Sequence, residues 1–378
     1  MSPGADPLTP LEAAIGMPLG GGPPVSFPTG PPIDATEALE LATLEALSDG
    51  PCRVAFSGGR DSSLVLAAAT RMARRAGLPE PIPLTFRFPA VPRSHEDAWQ
   101  EKVIGHLGLQ DWERVELHDE LDLLGPTATE LIVRMGVFWP ANAHFAWSLA
   151  RRAAPGTLLT GEGGDDLFSS WRWFRAARVL GGATPRKPRD VGAVTLALAP
   201  RAVRRAVEAR RVESLPWLTG AGDAAYRSAM ARSADVPWQW DAQLAWMRSR
   251  RDVTLSLQTL ERFAADVGCR IYTPLMDLQV LGALARAGGT HGLGGRRVTL
   301  QTLFGNLLPA GVLARPGKAV FNEAFWGPKA LAFAEQWTGM GADSSLVNPD
   351  ALKATWLMPG GDWRSADLLH RVWLHTST

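Results

Sequence analysis

Seven consecutive residues, Ser57-Gly58-Gly59-Arg60-Asp61-Ser62-Ser63, have the composition of an anion cradle. The apolar stretch Cys52 to Phe56 precedes them, and an Ala/Leu run with Arg71, Arg74 and Arg75 late in it follows. That order reads as strand, tight turn and helix. The first N–H groups of such a helix lack carbonyl partners and point out of its N-terminus, with the helix dipole behind them. Gly58 and Gly59 let a ligand approach the backbone with no Cβ in the way. Ser57, Ser62 and Ser63 add hydroxyls, and phosphate is the anion that fits. This is not the Walker loop, because its lysine is missing. An acid, Asp61, stands inside the cradle instead. Among phosphates an acid is repulsive unless a cation lies between, so Asp61 points to Mg²⁺.

A second stretch, Gly161-Glu162-Gly163-Gly164-Asp165-Asp166, follows the apolar run Thr157 to Thr160. Three carboxylates in five residues are unfavourable unless cations or protons neutralise them. Two further segments lie downstream: Arg270-Ile271-Tyr272-Thr273-Pro274-Leu275-Met276-Asp277, and Leu307-Leu308-Pro309-Ala310 with Arg315-Pro316-Gly317-Lys318 and Phe321. The first motif resembles the Ser-Gly-Gly-x-Asp-Ser-Ser signature of the PP-loop ATP pyrophosphatases. The set of four, spread over about residues 35 to 325, resembles the synthetase domain of asparagine synthetases. The resemblance implies cleavage of ATP between the α- and β-phosphates, adenylylation of a carboxylate, and displacement of AMP by an amine. It implies Asp61 and Asp165 as Mg²⁺ holders, Glu162 as the base for the amine, and Lys318 as the lysine that neutralises the intermediate and pyrophosphate. Phe56, Ser57, Gly58, Gly59, Asp61, Ser62, Ser63, Phe86, Thr160 and Gly161 match positions that touch the nucleotide.

The elements that must position these residues can be read in order. Asp34 to Ser48 has helical periodicity; Pro81 to Phe88, Trp112 to Leu117 and Thr157 to Thr160 read as further strands, with helices between them. Strands alternating with helices imply a doubly wound parallel sheet with helices on both faces, an α/β fold of the PP-loop type, with ligands beyond the carboxyl ends of the strands. From Arg172 onward the pattern is mainly helical, with a Pro/Gly break at 181–190 and helices expected at 202–212, 224–234 and 241–266. The division expected is a Pro/Gly-rich extension over 1–33 lying on the surface, an ATP-binding core over 34–180, and a mainly helical part of the same domain over 181–378.

Composition excludes several classes. A net charge of +1 argues against nucleic acid as an obligatory partner. No run approaches the ~20 apolar residues of a membrane span, and no signal peptide is read. Cys52 and Cys269 sit in apolar contexts without metal-ligand spacing, as expected of reduced thiols in a cytoplasmic protein. Five of the 39 basic residues are lysines, which singles out Lys318.

The expected activity is ATP-dependent amide formation between a small-molecule or peptide carboxylate and an amine or ammonia. Only about 50 residues precede the first motif, and Ser2 follows Met1, so no glutaminase is expected and the amine should arrive ready-made or from a separate nitrogen-donating or substrate-presenting protein. The family resemblance also extends to β-lactam synthetases and lasso-peptide cyclases, which close amides without ammonia. Arg270 and Tyr272 stand where asparagine synthetases have Glu and Arg, and Ala176 falls near the place of a family lysine. These departures point to an acceptor other than free aspartate, or to an accessory subunit with a decayed site. His144 is expected to be structural or to line the acceptor pocket.

Overall fold

The computed structural model of the chain describes residues 8–169, 171–315 and 321–377. Five short strands, β1 (Cys52–Ala55), β2 (Ile82–Arg87), β3 (Glu113–Glu116), β4 (Thr157–Leu159) and β5 (Arg270–Tyr272), form one sheet in the order β3-β2-β1-β4-β5. Every pairing is parallel, with Ala55 opposite Leu84, Val54 opposite Leu159 and Leu159 opposite Tyr272. The chain leaves β1 toward β2 on one side, and β4 returns to pair on the other. The crevice between β1 and β4 is therefore the switch point at which such sheets bind ligands.

Helices cover both faces. Helices α1 (Pro10–Ile15), α2 (Ala35–Ser48), α3 (Arg60–Ala76), α4 (Asp97–Leu107), α5 (Pro126–Met135), α6 (His144–Ala153) and α7 (Gly164–Phe168) precede a helical remainder. On one face Val54 and Leu159 pack with Leu39 and Leu47 of α2 and Leu64, Val65 and Ala68 of α3. On the other, Leu84 and Leu158 pack with Leu149, Ala150 and Ala153 of α6 and with Cys269. Because successive residues of a strand face opposite ways, Leu158 and Leu159 serve different cores, and a strand buried on both faces reads as a continuous apolar run. Among the described residues no helix is long and apolar enough to cross a membrane.

Three sequence expectations change. The N-terminal stretch is not all surface: α1 starts with a Thr9/Glu12 capping box, and Ala14 and Ile15 are buried with Trp217, Trp356 and Leu369. The single helix expected over 241–266 is two, Trp240–Arg248 and Arg251–Val267. The interruption is held by that same N-terminal segment: the Gly22 amide donates to the Ser249 carbonyl at 2.9 Å and the Arg251 amide to the Gly20 carbonyl at 3.0 Å. A Cβ on Gly21 would lie 2.7 Å from the Ser249 oxygen, so only glycine fits there. Third, Arg270–Tyr272, read only as a motif, is a strand.

His144 is structural. Its Nε2 donates to the Leu121 carbonyl at 2.9 Å, and His370 Nε2 donates to the Leu123 carbonyl at 2.8 Å. Both rings are fully buried, and between these carbonyls Asp122 accepts from the Lys329 and Ala330 amides at the start of the helix Pro328–Gln336. Burial pulls His144 down to about 4 and His370 down to about 3.

Two outcomes are expected of the fold. Ile15→Ala should destabilise the protein by about 2–4 kcal/mol in urea unfolding, because it opens a cavity in the core rather than trimming a linker. The unfolded chain protonates these histidines below about pH 6.5, whereas the folded chain resists until about pH 4 or 3. Stability from keeping them neutral is thus fully present above pH 6.5 and falls as pH drops, by about 1.4 kcal/mol per unit for each ring. Urea midpoints at pH 6.5, 5.5 and 4.5 should show a shallower decline for His370→Gln than for the wild-type chain, a comparison in which other titrating groups cancel.

Candidate active site

The turn after β1 is ordered by its own serines. The Gly59 amide donates to Ser57 Oγ at 3.2 Å, the Ser57 amide to Ser62 Oγ at 3.3 Å, and Ser62 Oγ to the Gly59 carbonyl at 3.2 Å. Gly58 has φ +82°, and a Cβ there would lie 2.6 Å from Gln100 Cγ. Gly59 caps α3 without a side-chain bond, so this 17-residue helix opens beside the crevice with no side chain over its first turn. Ser63 Oγ is buried without a hydrogen-bond partner. An uncapped helix start, an orphaned hydroxyl and a turn that excludes side chains fit a phosphate-bearing ligand.

The loop is clamped from behind by residues that sequence reasoning missed. Arg315, 6% exposed, donates through Nη1 to the Gly58 carbonyl at 2.7 Å and pairs with the buried Glu96. Its guanidinium also lies 5.2 Å from the Trp99 ring centroid. Gln100 Nε2, one helical turn after Glu96, donates to the Ser57 carbonyl at 2.9 Å. Arg315 stood in a quoted motif, but its partner lies more than 200 residues earlier, and nothing local marks the pair.

The acidic turn after β4 closes on this loop. A Cβ on Gly164 would fall 2.3 Å from Asp61 Cγ, and one on Gly161 2.9 Å from the Ser62 nitrogen, so both glycines are needed for the approach. Asp61 and Asp165 meet across one guanidinium. Arg296 Nη2 lies 2.6 and 2.5 Å from the two Asp61 oxygens, and Arg296 Nη1 lies 2.8 Å from Asp165 Oδ1. Burial opposes the charge on Arg296, but pairing with the two acids outweighs it and holds its pKa above the ordinary arginine value. Arg296 was not read from the sequence; the available signal was the glycine-rich run Gly288 to Gly295 opening a helix on two arginines. Among the described residues no three His, Cys, Asp or Glu side chains gather into a metal cage. Two carboxylates beside a phosphate cradle nevertheless suit Mg²⁺, which takes one or two carboxylates and completes its shell with phosphates and water.

Glu162 is exposed at the rim of a cavity of about 170 Å³ walled by Trp139, Pro140, Val253, Leu257 and Met276. Ser256 Oγ donates to Glu162 Oε1 at 3.3 Å. Asp166 and Asp252 complete the lining, both paired with Arg250, whose Nη1 lies 2.8 Å from Asp166 Oδ1. Three carboxylates against one guanidinium leave this wall formally two charges negative.

The remaining expected residues divide. Thr160 is buried, its amide donating to the Tyr272 carbonyl at 3.0 Å, and its Oγ1 accepts from the Glu162 amide at 3.4 Å. Phe86 is half-buried, 5.6 Å from Phe145 in an edge contact. Phe56 is 2% exposed and packs edge-on with Trp112, so its ring supports the sheet and only its backbone borders the cradle. Lys318 lies outside the described residues. Arg270 and Tyr272 do not line the cavity: both bond to Asp49 at the turn between α2 and β1, Arg270 at 2.7 Å. Ala176 is buried against Trp173 and Val236. Cys52 and Cys269 are buried, and desolvation pushes both thiols up to about 11, so neither is a poised nucleophile.

A parallel α/β sheet carries a glycine-serine loop and an apposed acidic turn at its switch point, and the family match places such a chain among ATP-dependent ligases of the amide-forming synthetase type. The family description "Asparagine synthase" matches residues 35–373, and the chain belongs to that family. A search of curated proteins returned no match.

Removing one partner of the clamp should cost more than removing both. Arg315→Met takes the guanidinium away from both the buried Glu96 carboxylate and the Gly58 carbonyl, and a loss of about 3–5 kcal/mol is expected in chemical unfolding. Adding Glu96→Leu should recover much of that loss, and ATP affinity should track loop order in the same series.

Proposed function

We propose that this protein joins a carboxylate to an amine at the expense of ATP, releasing AMP and pyrophosphate. The observation that carries the reading is the meeting of Asp61 and Asp165 beside the uncapped start of α3, with Glu162 on the neighbouring turn at the mouth of an acidic cavity. The first-turn amides of α3 and the loop serines would hold the phosphates, and Asp61 and Asp165 would hold Mg²⁺. That ion would offset the charge gathering on the departing pyrophosphate. The family resemblance assigns Lys318 to the same electrostatic task.

The chain's own part in the second half-reaction falls to Glu162. An amine enters as an ammonium ion and must lose a proton before it can attack a carbonyl. The negative wall formed by Glu162, Asp166 and Asp252 favours the cation on approach, and Glu162 is placed to take the proton. The apolar walls, Trp139, Val253, Leu257 and Met276, favour an amine carried on an organic body over ammonia. That preference supports the readings in which the amine belongs to a second substrate or to the far end of the same one, as in cyclising members of the family. A substrate-presenting protein remains compatible with either. Against the decayed-subunit reading, Arg270 and Tyr272 bond Asp49 and Ala176 is packed, so these departures have local structural roles that need no loss of activity.

Mass-spectrometric detection of AMP and pyrophosphate across a panel of carboxylates with added amines tests the proposal. Both products should depend on carboxylate, and Asp61→Asn and Asp165→Asn should each reduce them by 100-fold or more. Glu162→Gln should bind ATP with unchanged affinity yet lose amide product. Release of ADP and phosphate instead, or full amide synthesis by Glu162→Gln, would sink the assignment.

A further inference from the structure

Arg296 bridges the two acids of the crevice, and no motif assigned it a part. Its side chain is 17% exposed, its two terminal nitrogens bond three carboxylate oxygens of Asp61 and Asp165, and its Nε is buried with no hydrogen-bond partner. It is also awkwardly mounted. Arg296 is the first residue of the helix Arg296–Phe304, where the dipole disfavours a cation by about 0.3–1 kcal/mol. A cation against a helix start, with one donor left unused, is not what packing alone would select. The compensation comes from the two acids, whose mutual repulsion the guanidinium relieves.

We propose that Arg296 is a resident counter-ion that occupies the Asp61–Asp165 pair until a divalent cation displaces it. The inference rests on reading that pair as the Mg²⁺ site. Either cation neutralises the pair, but both cannot hold the same oxygens, so binding of one is release of the other. The displaced guanidinium needs an anionic partner or water. A divalent ion arriving alone offers neither, whereas one arriving with a polyphosphate brings negative charge into the same crevice. The exchange therefore penalises metal alone and favours metal delivered with nucleotide.

The test is Mn²⁺ binding to the full chain without nucleotide, read by the electron paramagnetic resonance signal of free Mn²⁺. Arg296→Gln should bind Mn²⁺ at least tenfold more tightly than the wild-type chain, through a site lost on adding Asp61→Asn. Arg296→Lys should fall between them, because an ammonium cannot bridge as a planar fork does; it also serves if the glutamine variant folds poorly. With EDTA, Arg296→Gln should melt below wild type, and Mn²⁺ should raise its Tm by more than it raises that of wild type. Equal Mn²⁺ affinities in wild type and both variants, through an Asp61-dependent site, would overturn the counter-ion role alone. Absence of any Asp61-dependent Mn²⁺ binding would overturn the metal site, and the counter-ion role with it.

Discussion

Two acids held at the ends of neighbouring parallel strands impose the constraint around which this molecule is arranged. Asp61 lies six residues beyond the end of β1 and Asp165 six beyond the end of β4. Pairing of β1 with β4 brings the two turns together, and glycine at 161 and 164 lets them close to van der Waals contact. Carboxylates close enough to share one guanidinium repel by on the order of 1 to 3 kcal/mol. The fold answers with positive charge from two directions. Each acid sits in the first turn of a helix, α3 or α7, where the dipole favours it, and Arg296 is brought in from a helix more than 200 residues downstream of Asp61. The pair is thus already neutralised within the chain, and a cation arriving there would have to compete with Arg296 for the same oxygens.

The same economy of charge governs the back of the loop. A phosphate cradle must hold its amides in place before the anion arrives, because ordering them afterwards would consume binding energy. Here the serines fix the turn internally, and Arg315 and Gln100 pin its carbonyls from outside. The Arg315–Glu96 pair is buried, which makes it a weak source of net stability but a firm geometric constraint, since either charge alone would be costly. It joins the start of α4 to the segment that leads into Lys318. Cradle, acidic turn and downstream segment are thus tied by long-range ion pairs as well as by one apolar core that holds Phe56, Leu64, Leu167, Phe168, Leu308 and Val312.

Which features were legible in the sequence follows from that distinction. The run from Cys52 to Ala76 carries strand, turn and helix signals in sequence-adjacent residues, and each formed as read. The acidic turn after Leu159 was legible for the same reason. The strand Arg270–Tyr272 was not, because three residues with no alternation become a strand only by pairing with β4. The break at Ser249 was hidden because it depends on hydrogen bonds from Gly20 and Gly22, more than 200 residues away. Helix α1 was obscured by the Pro/Gly-rich composition around it, although Thr9 and Glu12 form a capping box. Arg296 and Glu96 were missed because each stands at a helix start whose local sequence does not name a partner more than 100 residues away.

Departures from a family pattern need the same scrutiny as matches. Arg270 and Tyr272 replace residues expected to face the acceptor, and a sequence comparison alone reads them as altered specificity. In the fold both reach back to Asp49, so a cation and a phenol satisfy one carboxylate at the α2–β1 turn. The two side chains present here thus have a local partner, Asp49, and do not line the cavity. On the proposed reading, discrimination among acceptors would arise in the cavity that Glu162 rims, between Trp139, Val253, Leu257 and Met276. There one wall is apolar and another is negative. A bare ammonium ion gains only the electrostatic part of such a lining. An amine on an apolar stem gains both, at about 0.8 kcal/mol for each methylene removed from water, so that two or three buried methylenes already outweigh a typical exposed ion pair.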